Sequence, residues 1–147
     1  MLIITFICLV IDLVSKLLVS NLMEVSESIK IINNFFYLTY VRNTGAAWSI
    51  FANNTWFVLV VSGLIILGIV FYIYKNKPQD KLEKVAYGLV LGGASGNFID
   101  RIVYGYVIDF FDMYIFGYDY PIFNMADIFI VVGVIMLMFS TWRCKNE

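Results

Sequence analysis

Four long apolar runs decide what this chain can become: roughly 2–22, 56–74, 85–103 and 123–142. Each approaches the ~20 residues that a helix needs to cross a ~30 Å hydrocarbon layer. With 147 residues, 61% of them hydrophobic and 14% charged, the chain has too much apolar surface for one core of that size. Soluble domains run nearer half apolar and a quarter charged. The bilayer is therefore the expected solvent. The expected fold is an all-α membrane protein, a four-transmembrane-helix bundle forming one integral domain over 1–147. The first run carries Asp12 and Lys16, has no basic leader and is followed by no small-residue cleavage site, so it reads as a retained span.

Lysines and arginines in the short loops set the orientation. Lys75, Lys77, Lys81 and Lys84 crowd the linker 75–84, and Arg143 and Lys145 close the chain. The linker and both termini are thus expected in the cytoplasm, with 23–55 and 104–122 outside. The stretch 35–42 is β-rich and runs into a Gly-Ala-Ala turn, while 104–121 is dense in Tyr and Phe, which favour the membrane interface. A small β-containing extracytoplasmic platform and a short interfacial segment follow from this. A net charge of −1 without histidine argues against nucleic-acid binding and against a His-ligated metal. Cys8 and Cys144 lie near opposite ends and read as free thiols.

Given that orientation, the polar residues converge on one depth. Asn97, Asp100 and Arg101 end the third run, Asn124 and Asp127 open the fourth, and Asp109 lies just past the third. Asp12 and Lys16 share one helix face in the first. A charge inside a span costs about 2.5–3.5 kcal/mol, so such residues normally face the protein interior and pair. Each also has a plainer reading. Asp12 and Lys16 can be an ion pair that ties the first span to the bundle. Arg101 can snorkel to the interface. Gly92 and Gly96 have the spacing of close helix packing. Asn124 and Asp127 can be a helix cap, and an anion there suits the helix dipole. Asp109 can be a loop carboxylate paired with Arg101, although Val107, Ile108, Phe110 and Phe111 pull it towards an apolar surface.

Two carboxylates brought together at a dry boundary cannot both stay ionised, so they share a proton. The ionised member can take a proton from water, and the protonated one can polarise a carbonyl. A metal site built from Asp100, Asp109 and Asp127 is a weaker alternative. Ser15 and Lys16 are neighbours on a helix and do not face each other. The residues alone leave a hydrolase, a small proton-coupled membrane carrier and a purely structural bundle open. A carrier would more often show internal repeats and a site near the bilayer midplane, and neither is evident.

Five motifs then narrow the field: "DLVSK" (12–16), "RNTGAAWSIF" (42–51), "GGASGNFIDR" (92–101), "VIDF" (107–110) and "FNMAD" (123–127). In this order and on this layout, the chain resembles the bacterial lipoprotein signal peptidase (signal peptidase II) family over nearly its whole length. The resemblance implies an aspartic endopeptidase of the bacterial cytoplasmic membrane with Asp109 and Asp127 as catalytic dyad. It implies supporting roles for Asn43, Gly45, Asn97, Arg101, Asn124, Asp12 and Lys16. The implied substrate is a diacylglyceryl-modified prolipoprotein cleaved just before its lipidated cysteine. Membrane lipid is the other implied partner, and no cofactor, metal or obligate protein partner is implied. Leu13 and Ser95 depart from the family pattern, where Gln and an aliphatic residue are usual.

Overall fold

The structure, a computed structural model, describes residues 1–45 and 54–146, with side chains as far as Arg143. Most of the expected Gly-Ala-Ala turn and the side chain of Cys144 lie outside the described residues. The elements run α1 (Leu2–Leu22), β1 (Ser28–Ile32), β2 (Phe36–Asn43), α2 (Thr55–Asn76), α3 (Lys81–Tyr104), β3 (Val107–Ile115), β4 (Tyr118–Asp119) and α4 (Met125–Asn146).

Three of these helices, α1, α2 and α4, are long and apolar enough to cross a membrane. Their apolar side chains point mostly outward: α2 buries no residue at all, and Phe6, Leu17, Leu64, Phe71 and Ile135 are among the exposed. In water such a surface would be untenable, whereas in lipid it needs no partner. The third apolar run is less extreme because α3 has another task. It packs against α4, α1 and α2, and its buried face is built of small residues, including Ala86, Gly88, Gly92, Gly93 and Gly96. Small residues let helix backbones approach closely. A Cβ on Gly92 would stand 2.6 Å from the Cys8 Cβ and 2.9 Å from the Thr5 carbonyl oxygen. A Cβ on Gly93 would collide with the Ala126 carbonyl of α4, and one on Gly96 with the Asp12 carboxylate. The expected close packing at Gly92 and Gly96 is thus directed at α1. Asp80 caps α3 by accepting from the Glu83 N–H at 3.1 Å, and Gly105 ends it in a left-handed conformation.

Beyond the helix ends, β1 to β4 form one antiparallel sheet in the order β1-β2-β3-β4. The β-rich 35–42 is β2. The segment 104–121, expected as a short interfacial piece, is instead mostly β3 and β4, so the expected small β platform beside the helices is a four-stranded sheet that includes this segment. Val107, Ile108, Phe110, Phe111 and Tyr114 have the branched and aromatic side chains that strands favour. Phe116 and Gly117 link β3 to β4, both at positive φ (51° and 81°), which suits a two-residue hairpin turn. Tyr40, Ile108 and Phe110 are buried and seat the sheet on Val19 and Met23 near the end of α1 and Met125 at the start of α4.

Gly93→Ala is expected to lower the thermal stability of the detergent-solubilised protein by about 1–3 kcal/mol or more, since its methyl meets backbone. Gly68→Ala, where nothing lies within 4 Å, should be neutral or slightly stabilising. Paired melting curves check both.

Candidate active site

The site begins at the first turn of α4. Asn124 precedes Met125, and its side-chain Oδ1 accepts from the Asp127 N–H at 3.1 Å, while Asp127 Oδ2 accepts from the Asn124 N–H at 3.1 Å. This reciprocal pair satisfies two of the helix's free donors and fixes the Asp127 rotamer. The cap uses one carboxylate oxygen. The other, Oδ1, accepts from Asn97 Nδ2 of α3 at 2.8 Å.

Asp109 arrives from β3 and is 3% exposed. Asn124 Nδ2 donates to its Oδ1 at 2.6 Å, and Asn43 Nδ2 of β2 donates to its Oδ2 at 2.8 Å. Asn43 Oδ1 in turn accepts from the Gly45 N–H at 2.9 Å. Asn124 is therefore bonded to both aspartates, and α3, α4, β2 and β3 all contribute. Burial, and next to it the charge of Asp127, push the Asp109 carboxyl up to about 7, against the opposing hydrogen bonds from Asn43 and Asn124.

Behind this pair lies a buried ion cluster. Lys16 of α1 stands 2.7 Å from Asp12 and 3.0 Å from Asp100, and all three are at most 2% exposed. Lys16 also donates to Asn97 Oδ1 at 2.8 Å. That bond fixes the Asn97 amide so that its NH₂ faces Asp127. Asp12 accepts from the Ala126 N–H at 2.9 Å, and Asp100 from the Ile108 N–H at 3.2 Å. Arg101 does not pair with Asp109. Its guanidinium donates to the Asn97 carbonyl at 3.1 Å and the Gly45 carbonyl at 3.0 Å.

A cavity of about 810 Å³ opens over the pair, lined by Asn43, Asn97, Arg101, Asp109 and Asp127 on one side. Every site residue singled out in the sequence belongs to this connected set. Sequence reading gave Asp100 only a weak metal role and missed its pairing with Lys16. It gave no site role to Asp112, one of the acidic residues of 104–122, which lines the cavity further along β3. Spacing could have found Asp100, four residues beyond Gly96 on the face turned to α1. Among the described residues no group of three or more His, Cys, Asp or Glu side chains is placed to hold a metal.

Fold and site together define a helical membrane protein with two hydrogen-bonded carboxylates in an open cavity where helices meet a sheet. A family model described as signal peptidase (SPase) II matches residues 4–143. A lipoprotein signal peptidase of Anoxybacillus flavithermus is 44% identical over 142 residues, which is 97% of this chain and 84% of that one. Two solved structures described as a bacterial membrane enzyme superpose with TM-scores of 0.88 and 0.84 at 35% and 36% identity. They cover 96% and 95% of this chain, and 86% and 90% of their own. The chain belongs to the signal peptidase II family and is accordingly a membrane peptidase.

The raised Asp109 carboxyl makes a stability prediction. The folded state keeps this proton to about pH 7, whereas an unfolded Asp releases it near 3.9. Its contribution is full below about pH 4, declines as pH rises through about 7, and then levels off. Melting temperatures across that window should fall in the wild type relative to Asp109→Asn. Parallel curves for the two proteins would contradict the assignment.

Proposed function

We propose that this protein is an aspartic endopeptidase that removes signal peptides from diacylglyceryl-modified prolipoproteins, cleaving just before the lipidated cysteine. The observation that carries the reading is Asn124 bonded to both Asp109 and Asp127 (directly and through the helix cap) in an open cavity. The substrate class follows from the family and from the relative's name.

In this reading the pair shares one proton. Asp109, buried and pushed up to about 7, holds it. Asp127 accepts from Asn97 and from the Asn124 backbone and serves in this reading as the ionised member. Water attacks the carbonyl carbon while Asp127 takes its proton and Asp109 protonates the carbonyl oxygen. Asp127 then passes its proton to the leaving nitrogen as the C–N bond breaks, and Asp109 recovers one from the tetrahedral hydroxyl. The products are a signal peptide with a new carboxyl end and a lipidated cysteine with a free amine. Arg101 adds positive potential beside the developing oxyanion, and Asn43 and Gly45 hold the outer wall of the site.

The topology reading accompanies this. α3 spans the membrane together with α1, α2 and α4, both termini and 75–84 face the cytoplasm, and the sheet lies at the outer surface of one integral domain. A four-span arrangement suits α3 because α1, α2 and α4, which pack around it, shield its Gly- and Ala-rich face from lipid. An active site at that surface meets a bond tethered to membrane lipid by its acyl chains.

In a gel-shift assay on a diacylglyceryl precursor, Asp109→Asn and Asp127→Asn should each lower the rate by about 10²–10⁴-fold or more while the protein still inserts. Near wild-type processing by either variant would remove the dyad. Arg101→Ala should reduce the rate far more than the yield of folded protein. Equal loss of both would make Arg101 structural.

A further inference from the structure

We propose that Asp112 forms a subsite for a cationic side chain, lysine or arginine, on the stretch of substrate that follows the cleaved bond; this rests on the peptidase reading above. Asp112 takes no part in the chemistry assigned so far. It is 6% exposed, and its Oδ2 accepts from Thr39 Oγ1 at 2.6 Å. Thr39 Oγ1 in turn lies 2.9 Å from Ser28 Oγ. Strands β1 and β2 therefore hold the carboxylate in one orientation. Its Oδ1 has no hydrogen-bond partner among the described residues, although it is buried. An acceptor left so costs free energy until a donor reaches it. The side chain lines the same cavity as Asp109 and Asp127, and also a smaller hollow of about 440 Å³ shared with Ser28, Tyr37 and Tyr114.

Strand geometry explains how Asp109 and Asp112 come to share that cavity. Three residues apart on a regular strand, they would face opposite ways. Here the N–H groups of Phe110 and Phe111 both donate to the Phe123 carbonyl, at 3.0 and 2.8 Å. One partner residue thus opposes two, a bulge that shifts the alternation.

The charges along the cavity are segregated. Arg42, paired with Ile108, and Arg101 at the end of α3 stand with Asp109 and Asp127 at one end. Asp112 and Asp119 stand at the other, with Tyr114 opposite Asp119. The carboxylates of Asp112 and then Asp119 raise the Tyr114 phenol above its ordinary value, as a negative potential at that end would. Two carboxylates with hydroxyls around them suit an ammonium or guanidinium group.

Distance and direction follow from the strand. Three residues of β3 separate Asp112 from Asp109 by ~10 Å. An extended substrate advances by a similar step per residue, and a lysine side chain adds reach. The second to fourth residues beyond the cleaved bond fall opposite Asp112. The acidic end of the cavity is built on β3 and β4. An apolar signal segment stays with the helices, so the mature segment is the one that passes Asp112.

The test uses the full-length protein in detergent micelles at low salt. Its substrates are diacylglyceryl precursors carrying Lys, Ala or Glu at those three positions. Wild type should cleave the Lys precursor with kcat/KM about tenfold above the Glu precursor, Ala falling between. Asp112→Asn should compress the spread to about twofold, whatever it does to the rate on Ala. Thr39→Val, which keeps the carboxylate and loosens its hold, should compress it in part and serves if Asp112→Asn does not accumulate. Equal rates in wild type, or an undiminished spread in the variants, would overturn the subsite. Wild type that cleaves none of the three would overturn the peptidase reading, and the subsite with it.

Discussion

Everything around the two carboxylates of this molecule hangs on one buried ammonium. Lys16 sits between Asp12 and Asp100, and each of the three is bonded onward to a different element. Asp12 reaches the Ala126 N–H in the first turn of α4, Asp100 the Ile108 N–H of β3, and Lys16 the Asn97 side chain of α3. A buried ion cluster contributes little net stability, because desolvation offsets attraction. Its value here is geometric. It has few alternative arrangements, since any member displaced leaves a charge unpaired in a place without water, at a cost of about 3–5 kcal/mol. α1, α3, α4 and β3 are therefore registered to one another to within a hydrogen bond.

That registration is possible only because α3 has so little side chain. The Asp12 carboxylate occupies the space where any residue larger than Gly96 would place its Cβ, and the Ala126 carbonyl does the same at Gly93. The polar cluster and the glycine face are thus one device. The glycines bring the backbones close, and the closeness puts Asp12 within reach of the first turn of α4. The same glycines and polar residues lower the apolar content of α3, which is why only α1, α2 and α4 stand out by hydropathy.

The helices and the site differed in how far the sequence disclosed them. Apolar runs reveal helices in lipid directly, and α1 begins and ends where its run does. The residues of the site were legible one by one, because Asp109, Asp127, Asn97 and Lys16 are each misplaced in an apolar setting unless something answers them. Their connections were not. Asp100 answering Lys16 is a contact between α3 and α1, and a period along one helix does not reveal which neighbour it faces. The strand at 107–115 was hidden for a related reason: its Tyr and Phe residues suit an interface as well as a strand, and only pairing with β2 decides. Asp112 reads in the sequence as no more than one of the acidic residues of 104–122, because a bulge turns it and bulges leave no mark in the alternation that strand reading relies on.

The choice of amides around the two carboxylates has a physical logic. Among the described residues, Asp109 and Asp127 receive side-chain hydrogen bonds from Asn43, Asn97 and Asn124, and from no lysine or arginine. An amide donor orients a carboxylate without adding charge. A lysine or arginine bound directly to the pair would stabilise the ionised form of both members and empty the site of its proton. Lys16 and Arg101, the two cations closest in the network, are each turned elsewhere: Lys16 to Asp12 and Asp100, Arg101 to two backbone carbonyls. Their field reaches the pair, but their hydrogen bonds do not. Burial and the charge of Asp127 are then free to push the Asp109 carboxyl up to about 7, and it is a proton held there that the proposed hydrolysis requires.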